Sequence, residues 1–252
     1  MPSADRKERE AYILDVLTRD GTLSVTHLAR ELGVSDVTIR GQLRDLEARG
    51  LLSRTHGGAQ STSVQNVLER QREHEDEKER IAKAAAGLIQ DGDRVMIEAG
   101  TTTSRIIRHL ASHRGVQIVT NSTLVFAHAR HNTALAVILT GGVFHRPSES
   151  LVGPVALRAI RDFHVRLAFI GTDGFTPRRG LTTQFGEGAE IITAMHAQTD
   201  ATWLLADSSK YGQAGFVRVL DLGEVSGIVT DTGLGEDARR TLREAVPELL
   251  LA

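Results

Sequence analysis

The stretch "IEAGTTTS", residues 97–104, runs from an apolar segment into a glycine, three threonines and a serine, and a helical pattern follows. Gly100 permits close backbone approach. Thr101, Thr102, Thr103 and Ser104 offer hydroxyls and amides at a helix start, where the dipole favours an anion such as phosphate. Alone, "GTTTS" reads as a helix N-cap. Four further apolar runs, however, end in the same chemistry: "VQIV" in "TNS", "LAVIL" in "TGG", "RLAFI" in "GTDG" and "ATWLLA" in "DSSKYG". In an open parallel sheet these ends lie along one edge, and ligands bind in the crevice there. The candidate effector set therefore also takes in Thr120, Asn121, Ser122, Gly141, Gly142 and Gly171. Glu98, Asn121 and Asp173 suit hydroxyl groups, and Lys210 brings a positive charge. Lys210 as a structural ion-pair partner is the other reading. With only 4% aromatic residues, a stacked base is disfavoured and a small phosphorylated polyol fits.

A second constellation reads nucleic acid. If a helix starts near Asp36, a 100° projection clusters Ile39, Leu43 and Leu46 on a packing face. Val37, Thr38, Arg40, Gly41, Arg44 and Ala48 face the other way. Methyl groups suit thymine methyls, and arginine pairs with guanine or clamps phosphate. Ser35 and the helix N-terminus accept a phosphate contact. His56, Gly57 and Gly58 bring a turn near the minor groove, and Ser24 and Arg54 complete the candidate DNA-contacting set. Acidic and basic residues balance over residues 5–59, which leaves a small protein-docking domain as a competing reading.

These residues need elements to place them. In "AYILDVL", Ile13, Val16 and Leu17 share a helical face; Gly21 ends that helix. Ser24 is the expected N-cap of a second helix with Val25, Leu28, Ala29 and Leu32 in register, ended by Gly33. Ser35 caps a third. Helix, short glycine turn, helix is helix-turn-helix spacing, and "LLSRTHGGA" adds a wing. The second half alternates six apolar runs with helical patterns near 77–89, 103–111, 122–131, 152–161 and 187–198. That implies a mainly parallel sheet covered by helices. The organisation expected is a winged helix-turn-helix over 1–59, a linker over 60–74 and an α/β domain over 75–252. "REHEDEKER" is read as solvated linker and helix start.

Residues 23–59, "LSVTHLARELGVSDVTIRGQLRDLEARGLLSRTHGGA", resemble the N-terminal domain of the DeoR family of bacterial transcriptional regulators. The shared signature is Val-Ser-x-x-Thr-Ile-Arg, then Leu-Glu-x-x-Gly, then Arg-x-His-Gly-Gly-Ala. The family continues Thr-Ile-Arg with Arg and Asp, whereas this chain has Gly41 and Gln42; a mid-helix glycine costs about 1 kcal/mol relative to alanine. The second half resembles the family's sensor domain through Gly100–Thr103, Thr120–Ser122, Gly141-Gly142, Gly171–Gly174, Gly180–Thr183 and Asp207–Gly212. The resemblance implies a fold similar to ribose-5-phosphate isomerase and the CoA transferases. It also implies a phosphorylated-sugar effector, Thr182 in the site, and a dimer or tetramer.

A repressor of a carbohydrate-use operon is thus expected, its ligand altering the placement of the DNA heads through the linker. The rival is an isomerase-like enzyme, with Glu187, Glu190 or Asp173 as base and Lys210 as electrophile. Against it, Glu187 and Glu190 suit the first turn of a helix starting near 187. His109 with His113, and His128 with His131, have helical spacing but no third ligand, so no metal is expected, and no cofactor. The chain lacks cysteine, which excludes disulfides and thiol catalysis, and has net charge -2, so DNA binding must come from a local surface. No apolar run spans a membrane and the N-terminus lacks a signal core, so a cytoplasmic protein is expected.

Overall fold

The computed structural model describes residues 6–20, 22–48, 51–55, 57–60 and 67–252. The chain divides into two compact units, Met1–Arg70 and Gln71–Ala252.

The first unit runs α1 (Arg6–Asp20), β1 (Thr22–Ser24), α2 (Val25–Leu32), α3 (Asp36–Ala48), β2 (Ser53–Arg54) and β3 (Gly58–Gln60). Ile13, Leu17, Leu28, Ile39, Leu43 and Leu46 meet in its core, as their helical spacing requires. Gly33 adopts φ 65° and ends α2, and the Thr38 amide donates to Ser35 Oγ at 3.2 Å to cap α3. The wing has three strands in the order β1-β3-β2, not two. The added strand β1 comes from the short polar segment before α2, too brief to carry a period-2 signal. Gly58 makes this pairing possible: a Cβ there would stand 1.8 Å from the Leu23 carbonyl oxygen. A short helix, α4 (Val67–Arg72), occupies the end of the stretch read as linker.

The second unit opens with α5 (Glu75–Ala86) and β4 (Arg94–Ile97), then a 3-10 helix over Thr103–His109, β5 (Val116–Thr120), α6 (Thr123–Ala129) and β6 (Leu135–Leu139). A hairpin of β7 (Val143–His145) and β8 (Ser150–Val152) leads to α7 (Pro154–Arg161) and β9 (Val165–Ile170). β10 (Gly174–Thr176), β11 (Gly180–Thr183), α8 (Gly186–His196), β12 (Thr199–Leu205), β13 (Val217–Leu220), β14 (Gly227–Thr230), α9 (Glu236–Ala245) and β15 (Leu249–Leu251) follow. Seven strands form one sheet in the order β15-β14-β12-β9-β4-β5-β6, every pairing parallel. Alternate residues of each strand serve opposite faces. Val95, Ile97, Phe169 and Trp203 pack with α5 and α6, and Met96, Val119 and Ala168 pack with α7 and α8. With both faces covered the strands read as continuous apolar runs. All six predicted runs are strands of this sheet. β15, the β7–β8 hairpin, the small β10-β11-β13 sheet and α9 were not anticipated; most are too short to carry a period.

The segment after "GTTT" is 3-10, not α-helical. Thr103 Oγ1 donates to the Glu98 carbonyl at 2.7 Å and lies 3.2 Å from that of Gly100. Such local bonds compete with the α-helical pattern. With only seven residues of 3-10 helix, the dipole argument for an anion at this loop weakens.

Candidate functional site

In α3 the outward face is as projected. Val37 is 80% exposed, and Ser35, Arg40, Gly41 and Arg44 are exposed around it. Among the described residues neither Arg40 nor Arg44 makes an ion pair, so both guanidiniums are available to an anion. Thr38 is half-buried, its hydroxyl 2.9 Å from that of Ser35. The departure at 41–42 resolves into two unlike positions. Gln42 is buried, accepting from Arg9 Nε at 3.2 Å and donating to the Arg6 carbonyl at 3.2 Å, so it ties α3 to α1. Gly41 faces open space: a Cβ there would meet nothing within 4 Å. In the wing, Arg54 donates through its amide and Nε to Glu47, at 2.9 and 2.6 Å, and so holds that carboxyl below its usual range. Ser24 is exposed and makes no side-chain cap bond. The Gly57 carbonyl accepts from the Val25 amide at 3.0 Å. His56 lies outside the described residues.

The strand order of the sensor unit reverses direction between β4 and β9: the chain moves outward from β4 through β5 to β6, then returns to β9 and proceeds the other way. That is the topological switch point, where a parallel sheet opens a crevice. The loops from both strands meet there. Glu98, only 7% exposed, accepts the Gly171 amide at Oε2, 3.1 Å away. Asn121, after β5, spends both ends of its amide: Oδ1 accepts from the Ala99 amide at 3.1 Å and Nδ2 donates to the Leu151 carbonyl at 3.2 Å. Thr120 Oγ1 donates to the Ile97 carbonyl at 2.6 Å, and Ser122 Oγ accepts the Val125 amide to cap α6. Thr182 Oγ1 donates to the Gly174 carbonyl and accepts the Gly215 amide, each at 2.7 Å. Asp173 Oδ2 accepts from Thr183 Oγ1 at 3.0 Å and from the Gln184 amide at 2.9 Å.

The sequence-predicted residues therefore divide by task. Thr103, Thr120, Asn121, Ser122 and Thr182 commit hydroxyl or amide groups to the walls. Gly141 and Gly142, with φ 70° and 120°, turn the chain from β6 towards the β7–β8 hairpin. β6 lies two strands from β4, roughly 10 Å away, so these glycines shape the hairpin that meets Asn121. In the loop after β4, Thr101 is half-buried, and Thr102 and Ser104 are buried. Glu187 and Glu190 are exposed on the first turns of α8.

Two groups escaped the sequence reading. Lys78, in a run read as solvated, is only 4% exposed and donates from Nζ to the Glu73 carbonyl at 2.7 Å. Burial, with the nearby charges of Lys210 and Arg105, pushes its pKa down to about 8 against the pull of Asp207 and Glu73. Its place in a charged run hid it; only packing shows that this one cation turns inward. The other is a sixth strand end, after β14. Asp231 accepts from the Ser208 amide and hydroxyl, at 2.6 and 2.8 Å, and from the Gly233 amide at 2.7 Å. Burial alone would raise its pKa, but these donors hold it below the usual value. Asp231 so fixes the turn bearing Asp207 and Lys210. "SGIV" followed by "TDTG" carried that signal. The histidines show no metal grouping among the described residues: His109 pairs with Glu79 at 2.9 Å, and His128 Nδ1 lies 3.1 Å from the Ser104 carbonyl.

A winged helix joined to a parallel-sheet unit with a polar switch-point crevice defines a DNA-binding regulator carrying a sensor domain. The sequence profile of the DeoR-like helix-turn-helix domain matches residues 9–65, and that of the DeoR C terminal sensor domain matches residues 73–232. The chain belongs to the DeoR family of transcriptional regulators. It is 31% identical to a putative aga operon transcriptional repressor of Escherichia coli O157:H7, over 97% of this chain and 93% of that one. It is 33% identical to the lactose phosphotransferase system repressor of Lactococcus lactis subsp. lactis, over 90% and 91%. Among solved structures, ribose 5-phosphate isomerase A of Methanocaldococcus jannaschii aligns over 54% of each chain with a TM-score of 0.40 and 19% identity. No helix among the described residues is long and apolar enough to cross a membrane.

Proposed function

We propose that the chain represses a carbohydrate-use operon and that a small phosphorylated sugar, bound at the switch-point crevice, controls it. The observation carrying this reading is the switch-point crevice itself, where Glu98 joins the loops after β4 and β9, with the buried Lys78 of α5 and Lys210 near Asp207 as cations that suit an anion. Asp207 offsets part of the repulsion between the two cations, and a bound anion would offset more. Lys210 makes no ion pair among the described residues. The phosphate is assigned to these lysines and the tip of the Thr101-Thr102 loop, and sugar hydroxyls to Glu98 and Asp173. Names of relatives tied to sugar operons support the class of effector.

α3 lies in the major groove, with Val37, Arg40 and Arg44 against bases and phosphates and the wing alongside. Two copies read a two-fold operator, and residues 60–74 join head to sensor. By linkage, the sugar releases DNA only if it prefers the DNA-free arrangement. The test is a thermal-shift screen of the full chain with phosphorylated pentoses and hexoses, since a ligand of the native state raises apparent stability. A positive sugar phosphate should fail with Lys78→Met and with Lys210→Met, while its unphosphorylated sugar should fail throughout. A shift surviving both substitutions would place the anion elsewhere.

A further inference from the structure

Arg105 belongs to none of the polar strand tips, yet it is the most fully enclosed arginine side chain among the described ion pairs, at 5% exposure. Its guanidinium donates from Nη2 to the Gln71 carbonyl at 2.7 Å, from Nη1 to Glu79 at 2.9 Å, and to Glu75 at 3.3 Å. Gln71 lies in the last turn of α4, and Glu75 and Glu79 lie on α5. Between them His74 takes φ 50°, a left-handed conformation that turns the chain from one helix into the next. A single planar fork thus holds both arms of the corner by which the chain enters the sensor unit.

The same residue is bound to the candidate effector loop. The Ser104 amide donates to the Gly100 carbonyl and the Arg105 amide to that of Thr102, both at 3.1 Å. These successive bonds lock residues 100–105 into one tight turn, so a shift of Thr101 or Thr102 on binding carries Arg105 with it. Lys78, on α5 itself, donates to the Glu73 carbonyl at 2.7 Å across the same corner. The crevice and the corner are therefore joined twice.

We infer that Arg105 is a positioning residue that transmits occupancy of the crevice to residues 71–75, the start of the sensor unit and the covalent route to the DNA-reading head. The inference rests on the effector reading above and supplies its route of regulation. A merely structural brace would lower stability when cut and leave the response of the corner to ligand unchanged.

The experiment is amide hydrogen exchange on the full chain, with and without whichever of D-ribose 5-phosphate, D-glucose 6-phosphate and D-fructose 1-phosphate shifts its melting temperature, with inorganic phosphate in parallel. In the wild type, the sugar phosphate should change exchange at residues 71–78 on the order of tenfold, the usual scale of coupling between sites. In Arg105→Lys, which keeps the charge and loses the fork, the melting shift should persist and the exchange change at 71–78 should vanish. Glu79→Gln, which leaves Arg105 in place, repeats the test should Arg105→Lys fold poorly. An undiminished exchange change in both variants overturns the inference alone. A wild type that none of these compounds stabilises overturns the effector reading, and this inference falls with it.

Discussion

The Glu98 carboxylate accepts the Gly171 amide at 3.1 Å, joining the first residue after β4 to the first after β9 across the switch point. The bond does for the crevice what a cross-brace does for a corner: it fixes the spacing of the two loops that flank it. Glu98 therefore builds the wall, and under the proposed function its carboxylate would also meet a sugar hydroxyl.

Substitution separates these roles. Glu98→Ala strands a largely enclosed amide and should cost about 1–3 kcal/mol of stability, read as a lower urea midpoint. Glu98→Gln keeps an acceptor for Gly171 and should cost less than half as much. If Glu98→Gln leaves stability intact and still abolishes the sugar-phosphate melting shift, the residue is a ligand and not only a brace.

The threonines of the loop should behave unequally. Thr103 Oγ1 is bonded to the Glu98 carbonyl in a fully buried setting, so Thr103→Val should lower stability by roughly 1–3 kcal/mol. Thr101→Val with Thr102→Val should leave the urea midpoint nearly unchanged and remove the response to sugar phosphate, with DNA affinity preserved. Equal effects at all three positions would contradict the division of labour.

Lys78 makes the sensor unit sensitive to alkaline pH. Its folded pKa of about 8 lies below its ordinary 10.5. Between those values the unfolded chain holds a proton that the folded one has lost, so this group's contribution to stability rises with pH across that window and is flat below it. Urea titrations from pH 7 to 10 should show the rise in the wild type and lose it in Lys78→Met. An anion needs the ammonium charged, so the sugar-phosphate melting shift should shrink between pH 7 and pH 9.

On the DNA side, Arg40→Ala and Arg44→Ala should weaken binding to a selected duplex. Each substitution that removes a phosphate contact should reduce the slope of log affinity against log salt by about 0.9. Unchanged affinity in both variants would remove α3 from the groove.

Two glycines of the head should respond in opposite directions. Gly41→Ala has open space around its new methyl and gains helix propensity, so it should stabilise the head by about 1 kcal/mol. Gly58→Ala drives a methyl into the Leu23 carbonyl and should unfold the wing, seen as lost amide protection over residues 22–24 and 58–60.

Much of the protein was legible in one dimension. Helical periodicity in residues 11–48 specified the core of the head and its outward face, because a 3.6-residue repeat leaves one side apolar whatever surrounds it. The apolar runs marked six of the seven parallel strands, because a strand covered on both faces must be apolar throughout. What each tip residue does was not legible. Thr103 and Thr101 are alike in sequence, and only the fold decides which hydroxyl meets a backbone carbonyl. The sequence could not show that Lys78, among solvated charges, turns inward, nor that Gln42 packs against α1 while Gly41 stays open. The type and order of residues determined the elements and the family; long-range packing decided burial, and burial decides whether a polar group builds the wall or faces the ligand.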